Sequence, residues 1–408
     1  MANSSDRESL KSIVLASPAC HRAYQCVRGD LLQNILHKEY AGLVDITDAI
    51  TAIRSNGLHA SLPSNKERII SLLDTRRRGV EIRRLGLASA PSVPNTPASP
   101  DEIVQLLDLH RIAIFLLNDY CNSAPNPKWM DQAKWNNEVL PLHLSETEKV
   151  RWFRGFYRLQ IFANIFGPIE FSPYEFNGDK RDYWVDETFT IEQAWRVLFG
   201  TMAPWEVAEV GCVFRYLYEK YTGPYNEIAD RLARYGRVTM DSLPQGFQIP
   251  VSCIQWDATD LTTRAVENLP TLASMGPTFL YRFLHQESAL DRRNLILANG
   301  RPSLSSLPDI CPGSDGSLPL LYPADRFNFG ADLDGLKNLL ATLPPSERPN
   351  LLCDRYFLCF YDESDVFEEM FDVQLGSALW RWGYALWDDE RLQEWNPPMD
   401  YTTAFKSR

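Results

Sequence analysis

Leu375-Gly-Ser-Ala-Leu-Trp-Arg-Trp-Gly-Tyr-Ala-Leu-Trp-Asp-Asp-Glu-Arg-Leu-Gln-Glu-Trp395 reads as one helix, aromatic along a side and acidic toward its end. Leu375, Leu379, Trp382, Leu386 and Asp389 share a stripe at helical spacing, and Trp380, Tyr384 and Trp387 continue the adjacent one. So much aromatic bulk predicts a helix buried along most of its length, with Asp388, Asp389 and Glu390 emerging at its exit. Carboxylates beside indoles suit a planar cation, which pairs with the acids bidentately and stacks on the rings. The plainer expectation for the same residues is a core helix that ends in a solvated acidic turn.

Working outward, 408 residues with 45% hydrophobic and 23% charged content can bury a large core in two or three subdomains. A net charge of −12 excludes a protein that binds nucleic acid over its whole surface, and no DNA partner is expected. The eight cysteines form no CxxC pair, so neither a zinc ribbon nor a disulfide framework is indicated, and a reduced, cytoplasmic setting is expected. Neither a signal peptide nor an apolar run long enough to cross a membrane is visible, so no membrane partner is expected.

Helical patterns recur along the chain. Ser17-Pro18 opens a helix reaching Leu36, residues 43–54 form a second, and Ser64 with Glu67 supplies a capping box for a third. That third helix carries Arg76, Arg77, Arg78, Arg83 and Arg84, and residues 64–84 hold seven Lys or Arg against three acids. Such a strip suits RNA phosphates, although a charge run can equally be a solvated face. Residues 88–100 read as a Pro/Ser-rich linker or loop between an N-terminal helical unit, 1–87, and a main helical domain, 101–408. Beyond it, Pro100 starts a helix that places His110 on its apolar side, and Ser145 with Glu148 caps a helix to about Phe166. Trp152, Phe153, Phe156, Leu159, Phe162 and Ala163 face inward on that helix. Pro204-Trp205 opens another that stops at Gly223-Pro224, with Glu206 and Glu209 in its first turns. There they serve either to cap the helix or as a ligand or general base. His110 and His285 read as core histidines. The expected fold is mainly α: a multi-helix globular bundle with long irregular loops, including 301–331, and few or no strands.

Four segments together resemble a known group: Ser9 to Leu36 (SLKSIVLASPACHRAYQCVRGDLLQNIL), Phe156 to Phe162, Met202 to Glu209 and Trp382 to Glu390. They resemble a large set of fungal hypothetical proteins with an F-box-like segment. The resemblance implies a helical module and a protein partner of the cullin-ligase adaptor type, the Skp-type adaptor. The Leu-Pro helix that begins an F-box has no match before Ser9.

No GxGxxG, Walker, HExxH or GxSxG motif is present, and adjacent residues such as Asp388, Asp389 and Glu390 splay too widely on a helix to share a metal. The pairing of one Arg-rich strip with one acidic aromatic cluster suggests instead an enzyme that needs no cofactor. Fungal hypothetical proteins include arginine-containing cyclodipeptide synthases, which join two aminoacyl groups carried on tRNA into a diketopiperazine. In that scheme Arg76, Arg77, Arg78, Arg83 and Arg84 hold aminoacyl-tRNA. Asp388, Asp389 and Glu390, with Trp382 and Trp387, hold the substrate guanidinium, and Glu206 or Glu209 takes the proton of the attacking amine. The synthase is the working expectation; a non-catalytic F-box-like adaptor is its alternative.

Overall fold

The computed structural model describes residues 12, 14–42, 46–84, 96–173, 184–199, 202–233, 265–300, 305–310, 338, 341–353 and 380–397. Helix makes up 71% of them, and the only sheet-like feature among them is an isolated bridge between Val185 and Phe189, so the protein is mainly α.

Among the described residues the helices longer than five residues are α1 (Pro18–Tyr40), α2 (Ile46–Arg54), α3 (Lys66–Arg84), α4 (Pro100–Ser123), α5 (Glu146–Ile165) and α6 (Ile191–Leu198). After them come α7 (Pro204–Ala233), α8 (Ala265–Ser274), α9 (Pro277–Leu284), α10 (Ala289–Asn299) and α11 (Asp389–Trp395). Local chemistry accounts for most starts. Ser17 and Ser99 cap α1 and α4 with their hydroxyls, each with proline in the first turn. Complete capping boxes open α5, from Ser145 and Glu148, and α6, from Thr190 and Gln193. Ser64 does not cap α3, because it lies inside a 3-10 turn, Pro63–Asn65, that runs straight into the helix.

The centre is α5. Every residue from Arg151 to Ala163 is buried. Helix α7 packs along it closely enough that a Cβ on Gly155 would meet the Glu209 carbonyl oxygen at 2.8 Å and Val213 Cγ2 at 2.9 Å. Glycine is therefore what permits the approach. Contrary to the expected stop, α7 continues through Pro224 to Ala233. One helical hydrogen bond is lost there, but Tyr221 and Tyr225 on either side are buried and hold the segment in place.

Helices from both sides of the 88–100 segment share one core. The Tyr40 hydroxyl donates to the Leu106 carbonyl at 2.9 Å, the Ala60 N–H donates to the Ile165 carbonyl at 2.7 Å, and Arg54 grips Glu102 through two bonds of 2.6 and 3.0 Å. His285 is exposed rather than in the core: it ends α9, donates Nδ1–H to the Tyr281 carbonyl at 2.8 Å and lies against the Phe115 ring. Most of the 301–331 loop and residues 375–379 lie outside the described residues.

The continuous C-terminal helix is also corrected. Gly383 has φ +76, and a Cβ there would collide with the Tyr120 hydroxyl. The chain turns twice, with the Gly383 N–H donating to the Trp380 carbonyl and the Leu386 N–H to the Gly383 carbonyl, before Asp388 starts the short α11. The aromatic residues still pack inward, but as a knot: the Trp387 indole donates to the Trp382 carbonyl and meets Trp395 edge-on.

Candidate functional site

Four charged residues of α5, Glu148, Arg151, Arg154 and Arg158, are spaced three, three and four apart, which puts them on one face. That face is buried, so each charge has to be matched inside the protein. Arg158 donates Nε–H to Asp48 Oδ2 at 2.9 Å and pairs through Nη1 with Glu206 Oε2 at 3.0 Å. Asp48 accepts a second bond, 2.6 Å, from Arg76 Nε. Arg154 holds Glu209 bidentately, both bonds 2.6 Å, and reaches Glu347 at 3.2 Å. Farther toward the start of α5, Arg151 donates to the Trp387 carbonyl at 2.8 Å and to Asp388 Oδ1 at 3.1 Å. Glu148 takes Arg391 bidentately at 2.6 and 2.8 Å while also closing the capping box.

A chain of guanidinium–carboxylate contacts thus links α2, α3, α5 and α7, and a second set links α5 to the tryptophan knot. Burial works to raise the Asp48 carboxyl, but Arg158 and Arg76 outweigh it and hold it at about 2. Burial likewise opposes the Arg154 charge, yet Glu209 and Glu347 lift its pKa well above the ordinary range. Burial pushes the Glu209 carboxyl up and the Arg76 guanidinium down, and their partners Arg154 and Asp48 act against it from hydrogen-bond distance.

The sequence-derived site residues do not converge. Glu206 and Glu209 are 1% exposed; Glu209 spends both oxygens on Arg154, and Glu206 pairs with Arg158 while accepting the Ala203 N–H at 3.0 Å. Asp388 turns to Arg151 and to the Ser145 hydroxyl, Asp389 accepts the Leu351 N–H at 2.6 Å, and Glu390 points to solvent. Trp382 and Trp387 are buried. A combination of acid, indole and guanidinium does exist at the knot, but of the expected residues it uses only Trp387, and its guanidinium belongs to the chain. Arg391 lies over the Trp387 and Trp395 rings, 5.6 and 5.4 Å from their centroids, with Glu148 as its carboxylate. Arg76, at 3% exposure, faces inward and is removed from any phosphate-binding strip. Arg77, Arg78, Arg83 and Arg84 lie on α3, and their side chains fall outside the described residues.

Sequence reading missed Asp48, Arg151, Arg154, Arg158, Glu148 and Arg391 as a set. The signal available was the charged stripe within a helix otherwise dense in aromatics. A second polar cluster surrounds His110, which faces the Tyr157 hydroxyl at 2.9 Å. Tyr40 gives its proton to the Leu106 carbonyl and Tyr157 gives its own to Tyr40, so His110 must donate from Nδ1. Its Nε2 is buried with no hydrogen-bond partner, and burial pushes its pKa down to about 4.

Between α2 and α3 lies a cavity of about 420 Å³ lined in part by Arg54, Arg68 and Arg76, but Arg54 and Arg76 already serve Glu102 and Asp48. Among the described residues no group of His, Cys, Asp and Glu could hold a metal ion, and no helix is long and apolar enough to cross a membrane. Compared with family models, curated proteins and solved structures, the chain finds no match.

Proposed function

We propose that this chain is a non-catalytic helical interaction protein that engages a protein partner through the outward half of α1, the segment that resembles F-box-like proteins. One observation carries this: α1 runs from Pro18 to Tyr40, yet its buried residues are Leu32, Leu36 and Tyr40 alone. Cys20, Tyr24, Val27 and Leu31 repeat at helical spacing along the first half without being buried, and Val27 is 51% exposed. Just before the helix, Leu15 is 73% exposed. An apolar stripe that the described residues leave partly exposed on a capped helix is a form in which helices offer themselves to a partner. The ion network behind it serves as a rigid support, since α2, α3, α5 and α7 are fixed to one another by paired charges.

The synthase expectation is less favoured because Asp388, Glu209 and Glu206 already pair with Arg151, Arg154 and Arg158, and Trp387 already carries Arg391 on its ring.

The test mixes the purified chain with a purified Skp-type adaptor and follows complex formation by calorimetry and sedimentation. A complex that weakens at least about tenfold in a Tyr24→Glu, Val27→Glu variant of unchanged melting temperature supports the proposal. Absence of a complex overturns the adaptor assignment. An arginine-containing cyclic dipeptide in the medium of cells expressing the chain alone overturns the non-catalytic one.

A further inference from the structure

The cavity of about 420 Å³ between α2 and α3 is within the size range of small-molecule sites. Its charged groups divide in two. Arg54 and Arg76 are spent, the first on Glu102 and the second on Asp48. Glu67 and Arg68 also line it; both are exposed, and among the described residues neither side chain makes an ion pair or a hydrogen bond. Because Ser64 lies in the 3-10 turn and does not cap α3, the Glu67 carboxylate is not held in a capping box. Adjacent helix positions do not face each other, so the two do not pair with one another. The cavity therefore offers one open carboxylate and one open guanidinium.

We infer that this cavity binds a free α-amino acid with an apolar side chain, its carboxylate on Arg68, its ammonium on Glu67, and its side chain against Ile50, Leu58 and Leu72. Guanidinium and carboxylate are both planar and can share two parallel hydrogen bonds. An ammonium has three N–H donors and calls for acceptors beyond a single carboxylate. The cavity's hydroxyls supply them. Thr51 gives its proton to the Thr47 carbonyl and Thr75 gives its own to the Ser71 carbonyl, each at 2.7 Å, so toward a ligand both oxygens act as acceptors. Ile50 and Leu58 are buried and Leu72 is half-buried, which gives hydrocarbon an apolar surface to cover. A ligand with only one of the two charges would leave either Glu67 or Arg68 without a partner and bind less tightly. Independent of partner docking at α1, this site concerns a separate pair of helices.

The experiment titrates the purified full chain by calorimetry with leucine, methionine and phenylalanine in turn. Each is compared with its amide, which keeps the ammonium but not the carboxylate, and with the corresponding acid that lacks the amine. At least one of the amino acids should bind saturably, one to one, and at least about tenfold tighter than either of its analogues. Arg68→Gln should abolish the preference over the amide, and Glu67→Gln the preference over the deaminated acid, a selectivity that general loss of structure would not produce. Both positions are exposed, so melting temperatures should hold. The inference is overturned if none of the amino acids binds saturably, if an amide or deaminated acid binds as tightly as its parent, or if either preference survives in its variant.

Discussion

Helix α5 and the first half of α1 reverse the usual relation between residue type and position. Helix α5 has charged residues at four consecutive turns and buries all of them, whereas α1 has an apolar stripe at Cys20, Tyr24, Val27 and Leu31 and buries none of it. Burial in this protein follows from whether a partner surface exists. Helix α5 is surrounded by α2, α7 and the C-terminal knot, each of which delivers a counter-charge. The outward half of α1 is tied to α4 by the exposed Arg28–Asp101 pair. A charge can lie inside when its opposite is supplied in the right geometry, and an apolar stripe stays partly exposed where the described residues cover it only in part.

The strongest way to break the comparison is Arg158→Ala. It leaves Asp48 and Glu206 short of a counter-charge in the core and should cost about 3–5 kcal/mol in chemical denaturation. Adding Asp48→Ala should cost less than the sum of the single changes, because each single change already breaks the Asp48–Arg158 contact that the other removes. Additive losses would mean that the pair is not coupled.

Next in size is the pH response of the core that α1 and α5 share. His110 has a folded pKa of about 4 against an unfolded value near 6.5, so the unfolded chain binds the extra proton between them. Stability should be complete above about pH 6.5 and fall by roughly 3 kcal/mol as pH drops through 4. Asp48, held at about 2, adds a further loss between about pH 4 and 2. His110→Phe should flatten the upper part of this profile, measured by denaturation at several pH values.

Gly155→Ala should cost about 1–3 kcal/mol, because α7 backbone stands where the new methyl would go. The smallest effect on stability sharpens the other side of the comparison. Val27→Glu should change the melting free energy by less than about 0.5 kcal/mol while weakening partner binding, since its site is not buried. A large stability loss there would show that α1 packs along its full length.

Much of the element content was readable from local rules. Ser17-Pro18, Ser99-Pro100, Ser145 with Glu148, and Thr190 each start a helix where side-chain capping allows it. The long α5 and the inward side chains of Trp152, Phe156 and Phe162 follow from spacing. Readability failed at Gly383, where a left-handed residue cuts a helical pattern, and at Pro224, where packing carries the helix past a usual stop. It failed most at the charged residues, which periodicity assigns to a solvated face by default.

The sequence by itself determined the mainly α class and where most helices begin, because capping, proline placement and helical spacing are local interactions within a few residues. Only the tertiary structure decided which charges are inside and what they hold. Asp48 meets Arg158 across 110 residues and Glu148 meets Arg391 across 243, and no local rule connects positions so far apart. The acidic aromatic cluster suggested a bound guanidinium, and one stacks there, paired with Glu148 of α5 rather than with the cluster's own acids. That the guanidinium is the protein's own Arg391 is a consequence of folding, which brings a residue of the same cluster back between Glu148 and two tryptophans.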